Sequence, residues 1–318
     1  MTMSPGVTFV VVNWNQKQLT LDCLTSLREQ RYPNFNVVLV DNGSQDGSVA
    51  AVRAAFPEVV IKENGDNLGI AVANNVGIRY ALENQADFVF LLNNDTVVAP
   101  DMLEHLVGVA LSDSTIASTG PTMLYFDAPE TIWCAGNRIN WLTSKPRALY
   151  VGKPLDSVSG LKPISVDFIA SCAVCIRADV FRDVGIMDER YFIYFDEADW
   201  FLRASAKGWR HIYVPQARMW HKVSATMGTT SPAADYYMWR NAYLFVSKNF
   251  RGFSKFSAFL SITIRSLLVV VFYSLRLGGK NRIANRDARL LALRDAFRGR
   301  WGKMGADVAV VCYPSKII

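Results

Sequence analysis

The sequence is short of charge and of histidine, and it lacks the familiar nucleotide loops. Only 19% of the 318 residues are Asp, Glu, Lys or Arg, against 51% in the AVILMFWYC set. That balance excludes a disordered chain and leaves ample material for a core. No G-x-x-x-x-G-K-[ST] occurs, and no G-x-G-x-x-G follows the first apolar run, so a P-loop ATPase and a dehydrogenase are disfavoured. No self-similar period suggests a solenoid. The first six residues carry neither a basic stretch nor an apolar run, and the apolar run 7–12 is too short for a leader, so a cytoplasmic chain with reduced thiols is expected. The five cysteines are scattered. Cys172-x-x-Cys175 has no second pair and lies in an apolar run from Phe168 to Ile176, which reads as a structural strand.

What is present is an alternation of strand and helix. Val7 to Val12, Asn36 to Val40, Val59 to Ile61 and Phe88 to Leu92 read as strands, separated by helices near 19–27 and 47–56 and by one that follows Asn67-Leu68-Gly69. The last of these carries Val72, Val76 and Tyr80 at i, i+4, i+8 as its apolar stripe. The expected class is α/β, a mostly parallel sheet flanked by helices, whose ligands bind beyond the carboxyl ends of the strands. Polar residues interrupt the pattern at those ends, so Asn13, Asn15, Asp41, Asn67 and Asp95 are expected to share one rim. The competing reading is that they are ordinary turn residues.

Two further sites carry chemistry. Asp95 ends a buried strand, where a carboxylate needs a partner, and a hard cation such as Mg²⁺ or Mn²⁺ favours it. His221, one of three histidines, ends the apolar segment after Ile212; imidazole plus carboxylate tilts the choice toward Mn²⁺, and a structural histidine is the alternative. The stretch 191–207, YFIYFDEADWFLRASAK, sets Asp196, Glu197 and Asp199 at the start of a helix that stops at Gly208. Acids there suit the helix dipole. Flanked by Tyr191, Phe192, Tyr194, Phe195 and Trp200, they also suit a sugar cleft in which a carboxylate serves as general base.

VVNWN at 11–15, VDNGSQDGS at 40–48, NLGIAVANNVGI at 67–78 and LLNNDT at 91–96 resemble the family-2 glycosyltransferases. So do GIMDERYFIYFDEADWFLRASAKGW at 185–209 and VPQARMWH at 214–221. The motifs keep the family's order over about residues 6–250 and look most like rhamnosyltransferase-like and galactofuranosyltransferase-like members of bacterial cell-envelope polysaccharide synthesis. The resemblance implies a GT-A fold, a nucleotide-sugar donor (dTDP-rhamnose as the best guess, a UDP-sugar as the alternative), inversion, and a glycan or lipid-linked acceptor. Its metal motif falls on Asn93-Asn94-Asp95, which leaves Asp95 as the one charged ligand there, and its second metal residue maps onto His221. Its base maps onto Glu197, with Asp196 preceding it in reversed order. Asn13, Asn15, Asp41, Asn67, Asn94 and Arg240 are the expected donor contacts, and Trp200 and Ser171 the expected acceptor contacts; a structural role for Arg240 is the alternative. Nucleotidyl transfer and a silent nucleotide-sugar-binding protein are the other functions weighed. Nucleotidyl transfer leaves the Glu197 cluster unexplained.

The C-terminal part is different in kind. Between Arg276 and Lys303 nine basic residues face two acidic ones, a local +7 against +6 for the whole chain. Before it, Phe256 to Leu275 holds one charge, Arg265, in line with Ser257 and Ser261 at i, i+4, i+8. A mid-span arginine costs about 2.5–3.5 kcal/mol, so an amphipathic helix in the membrane interface is expected, with peripheral contact through 256–303 at the inner face of the cytoplasmic membrane. The second reading is a core or dimer-interface helix, which would make the chain a homo-oligomer. Aromatics are too sparse in the tail for nucleic acid. The expected division is a glycosyltransferase domain over 1–250, with a nucleotide half to about 98 and an acceptor half after it, followed by a helical basic region over 251–318.

Overall fold

The computed structural model describes residues 4–222, 231–275 and 282–313. In chain order the elements begin with β1 (Val7–Asn13), α1 (Lys17–Arg28), β2 (Phe35–Asp41), α2 (Ser48–Ala55), β3 (Val60–Glu63), α3 (Ile70–Glu83) and β4 (Phe88–Asn93). They continue with β5 (Thr96–Val98), α4 (Met102–Leu111), β6 (Ile116–Tyr125), β7 (Ile132–Cys134), β8 (Asn137–Ile139), β9 (Pro146–Ala148), β10 (Ile164–Val166) and β11 (Ala173–Arg177). Then come α5 (Ala178–Val184), α6 (Asp196–Ser205), β12 (Arg210–His221), α7 (Pro232–Asn249), α8 (Gly252–Ser274), α9 (Ile283–Phe297) and α10 (Ala306–Cys312). They form two compact units, one of residues 4–138, 147–187 and 200–222, the other of 139–146, 188–199, 231–275 and 282–313. The second unit therefore takes α7 and the segment 188–199, which a linear division at residue 250 assigns elsewhere.

The first unit is built on a sheet of order β10-β12-β6-β11-β4-β1-β2-β3, with β5 on β12 and β7 on β6. β1 pairs in parallel with β2 and β4, and β2 with β3, as continuous β-branched runs buried on both faces should. The other half is mixed: β11 runs antiparallel to both β4 and β6. The apolar run from Phe168 becomes strand only at Ala173; before it the chain is a loop whose Cys172 carbonyl accepts from Asn93 N at 3.0 Å. Cys172 and Cys175 are buried free thiols, as a structural pair requires.

α3 departs from its expected stripe. Val72, Val76 and Tyr80 are only half-buried, and the face turned inward is Ala71, Ala73, Asn74, Asn75, Gly77, Ile78 and Ala81. The reason is close approach: a Cβ on Gly77 would lie 2.1 Å from Val10 Cγ1 on β1. The polar members are paired, since Asn75 Nδ2 donates to Met187 O at 3.0 Å and Met187 N returns to Asn75 Oδ1 at 2.9 Å.

The second unit is helical. α7 starts at an N-cap serine followed by proline, Ser231 Oγ accepting from Ala234 N at 3.1 Å. Ala233, Tyr236 and Tyr237 of α7 pack with Ala288 and Ala292 of α9 and Val308 of α10. The basic tail is thereby partly neutralised. Arg289 is buried, bonded to Asp235 at 2.7 Å and laid over Trp239, while Arg294 bridges Asp295 and Asp307. Arg276 and Lys280 lie outside the described residues. α8 also differs from expectation. Its polar stripe faces protein: Ser257 Oγ donates to Leu142 O at 2.9 Å and Arg265 Nη2 to Thr143 O at 3.1 Å. Its outer face is apolar, running through Phe253 (75% exposed), Phe256, Leu260, Ile264, Leu268 (63%), Val271 and Leu275.

Gly77→Ala should destabilise the chain by about 1–3 kcal/mol through overpacking against Val10. Urea unfolding measures it, and an unchanged midpoint would contradict the close contact.

Candidate functional site

Polar side chains at the ends of β1, β2 and β4 form one network in the first unit. Asn13 Nδ2 donates to Asp41 Oδ1 at 2.8 Å and to Ser44 Oγ at 3.0 Å. Its Oδ1 accepts from Asn94 Nδ2 at 3.1 Å and from Thr20 Oγ1 at 2.9 Å. Asp41 Oδ2 accepts from the backbone N–H groups of Gly43 and Ser44, which fixes the turn after β2. Gly43 stands at φ +80 where a Cβ would lie 2.7 Å from Asp66 Cα, so only glycine lets the two loops meet. Asn42 Nδ2 reaches Asn67 Oδ1 at 3.1 Å, and Asn15 Oδ1 accepts from Gln45 N at 2.7 Å. Asn13, Asn15, Asp41 and Asn67 of the expected rim are thus brought together, while the Asp95 side chain lies against His221. Asp41 is buried and committed to the loop rather than turned outward. Thr20, Asn42 and Ser44 were missed, although Asn42 and Ser44 lie within the 40–48 motif; Thr20, in α1, had no such signal.

Asp95 and His221 meet through strand pairing. β5 lies antiparallel on β12 with Thr96 opposite His221, and Lys222 N donates to Asp95 O at 2.9 Å. His221 Nε2 stands 3.2 Å from Asp95 Oδ1, both side chains being buried. The approach lacks hydrogen-bond alignment, and Asp95 Oδ1 and His221 Nδ1 are left without hydrogen-bond partners. The Trp133 ring meets the imidazole edge-on at 4.7 Å and holds its plane. A buried carboxylate oxygen without a hydrogen-bond partner beside an imidazole fits a divalent cation. Among the described residues no cluster of three or more His, Cys, Asp or Glu side chains adds to it, so further ligands must come from substrate oxygens or water. His211, by contrast, is structural: buried, bonded to Ser118 and the Phe201 carbonyl, and held down to about 4 by burial.

Asp196, Glu197 and Asp199 belong to the second unit. Asp199 is fully buried, accepting from Tyr191 Oη at 3.1 Å, Asn249 Nδ2 at 2.8 Å and Lys248 Nζ at 2.8 Å. Asp196 is buried, with Oδ2 unpartnered. Burial, and then the Glu197 carboxylate beside it, push its carboxyl well above the ordinary range. Glu197 is raised mainly by loss of water, and the Asp196 carboxyl opposes that rise by hydrogen-bonding to it. Glu197 alone of the three keeps partial exposure. Arg240, expected at the donor, is 1% exposed in the second unit, with Nε and Nη2 on Asn241 Oδ1 and Nη1 on Tyr236 Oη. Trp200, expected to face an acceptor, is instead fully buried, packed on Phe181 and Phe201, with Nε1 on Gly185 O at 2.8 Å. Its aromatic signal came from core packing. Ser171 stays half-exposed in the loop before β11.

The sequence model of the family described as Glycosyl transferase family 2 matches residues 8–182. The chain is 26% identical to dTDP-rhamnosyl transferase RfbF of Shigella flexneri over 311 residues, covering 94% of this chain and 98% of that one. It is 24% identical to N-acetylglucosaminyl-diphospho-decaprenol L-rhamnosyltransferase of Mycobacterium tuberculosis, covering 80% and 88%. A solved structure, the mannosyltransferase PcManGT of Pyrobaculum calidifontis with GDP-Man and Mn²⁺, superposes with TM-score 0.59 at 16% identity, covering 94% and 89%.

Asp196→Asn tests the buried carboxyl. Because the folded state raises this group above its unfolded value, its contribution is most favourable below the unfolded pKa and is lost as pH rises through the folded one. The melting temperature of Asp196→Asn relative to the parent should therefore climb between pH 4 and pH 8; a pH-independent difference would refute the shift.

Proposed function

The chain belongs to glycosyl transferase family 2 and carries a GT-A fold, and on that premise we propose that it transfers L-rhamnose from dTDP-rhamnose to a hydroxyl of a lipid-linked or glycan acceptor in cell-envelope synthesis. The observation that carries the donor is the likeness to a dTDP-rhamnosyl transferase along nearly the full length of both chains. The decaprenol-linked acceptor in the second relative's name supports the lipid-linked acceptor.

In this reading the strand-end network of Asn13, Asn15, Asp41, Asn67 and Asn94 shapes the nucleotide pocket, with Asp41 acting through the 43–44 turn that it holds. Asp95 and His221 hold the divalent metal, Mn²⁺ or Mg²⁺. Bound there, the cation supplies charge compensation for the departing nucleotide diphosphate. Glu197 takes the proton from the acceptor hydroxyl, which attacks the anomeric carbon from the face opposite the diphosphate and inverts it. Burial, and then the neighbouring Glu197, hold the Asp196 carboxyl well above its ordinary range, which favours Glu197 as the proton acceptor of the pair. Ser171 borders the acceptor.

Glu197→Gln should lower kcat by at least about 100-fold, the usual reach of a lost general base, while calorimetric affinity for dTDP stays unchanged. The acidic limb of the parent pH profile should lie above the ordinary glutamate value, because Glu197 is raised. Full transfer by the variant would overturn the base. In the same titrations dTDP should bind more tightly with Mn²⁺, and preference for UDP or GDP would overturn the rhamnose donor.

We also propose that the enzyme docks peripherally on the cytoplasmic face of an anionic membrane. The support is the outward apolar stripe of α8, one helix long and apolar enough to cross a bilayer yet with its polar stripe held by protein. The paired arginines of α9 add less charge than composition suggests, so burial of the stripe should dominate. Leu268→Glu with Val271→Glu should abolish sedimentation with anionic vesicles, whereas high salt should weaken it only in part. Undiminished sedimentation, or parent dimers that the double variant dissolves, would refute the membrane reading.

A further inference from the structure

The loop leading into α6 is strained. Phe192, Tyr194 and Phe195 stand at φ 62, 66 and 69, left-handed conformations that cost of order 1–3 kcal/mol each for such side chains. They persist because the second unit holds them. Phe192 stacks on Tyr237 at 4.9 Å and Phe195 packs on Phe245 at 5.1 Å. One buried side chain gathers the backbone between them: Asn241 Nδ2 donates to the carbonyls of Tyr191 at 2.7 Å, Ile193 at 2.7 Å and Tyr194 at 3.2 Å.

The orientation of that amide is itself fixed. Arg240 closes two donors on Asn241 Oδ1, at 3.1 and 3.0 Å, which compels Nδ2 to face the loop. Arg240 in turn lies against the rings of Tyr236, Tyr237 and Trp301 and donates to Tyr236 Oη at 3.3 Å; Tyr236 Oη donates to Asp295 Oδ2 on α9 at 2.9 Å. Arg240, Asn241, Tyr236, Tyr237 and Asp295 are buried, and Trp301 is half-buried.

We propose that Asn241, oriented by Arg240, is the positioning residue for Glu197: it holds the left-handed loop 192–195 in the one conformation that starts α6 with the carboxylate in place. The inference rests on Glu197 being the base. Arg240 therefore acts through Asn241, its side-chain donors being committed to Asn241 Oδ1 and Tyr236 Oη.

The variant Asn241→Asp keeps the shape and the acceptor for Arg240 but removes both N–H donors from the three carbonyls. It should lower kcat about 100-fold, the cost of roughly 1 Å of misplacement, with donor affinity by calorimetry unchanged and the acidic limb of the pH profile displaced. In the Glu197→Gln background the same change should cost nothing further, because the group it positions is gone. Arg240→Lys should lower kcat in the same manner. Asn241→Ala serves if the aspartate variant fails to fold. Unchanged kcat, or an equal loss in both backgrounds, would overturn the positioning role. A raised donor KM with unchanged kcat for Arg240→Lys would overturn the placement of Arg240. Full activity of Glu197→Gln alone would instead overturn the base on which the inference stands.

Discussion

Parallel pairing in a common register sets the ends of β1, β2 and β4 on one line: Asn13 faces Asp41 on one side, and Val12 faces Asn93 on the other. Everything at this polar rim depends on that alignment. Each strand ends on a polar residue after an apolar run, 9–12 in β1, 37–40 in β2 and 88–92 in β4, so polar side chains of three separate segments emerge together at the carboxyl edge. Buried polar groups must satisfy one another, and Asn13, Asp41, Thr20 and Asn94 do so within a single network. The same logic places Asp95 and His221. A three-residue strand laid on the last turn of β12 carries two distant segments into contact, and the contact leaves a carboxylate oxygen without a hydrogen-bond partner.

The second unit solves a different problem. The first unit presents rigid strand ends, whereas the carboxylates of α6 hang from a loop that the backbone would not choose. Three left-handed aromatic residues carry strain of a few kcal/mol, while each hydrogen bond from Asn241 contributes about 1 kcal/mol net. Ring stacking and the three amide contacts together are of the size needed.

Much of this was legible in the sequence, for a definable reason. The strands β1, β2 and β4 are mostly buried apolar runs, and their polar ends stand out against them; the DEADW acids stand out in the same way. What failed were inferences that need partners from far away in the chain. Val72, Val76 and Tyr80 form the obvious stripe of α3, but contact with Val10 demands glycine and turns the helix toward Ala73, Asn74 and Gly77. Trp200 looked like a sugar platform because it neighbours acids, whereas its indole lies in the core under Gly185. The positive tail looked uniform because Asp235 and Asp307, which neutralise Arg289 and Arg294, lie outside the window in which the charge was counted.

Three carboxyls within one helical turn, Asp196, Glu197 and Asp199, share a backbone and differ only in partners, and the partners decide their fates. Asp199 meets one ammonium, one amide and one phenol, so its lone pairs are occupied and its charge is balanced by Lys248. It can anchor the helix but cannot accept a substrate proton without breaking that set. Asp196 is buried with one oxygen bare, a state tolerable for a protonated carboxyl and costly for a charged one. Both carboxyls of the pair are raised by burial, Asp196 the more strongly, and the Asp196 carboxyl hydrogen-bonds to Glu197. Glu197 is the half-buried member of the three. The reversed order of the acid pair therefore matters less than the burial pattern. The second position is the one of the three that the fold leaves partly accessible.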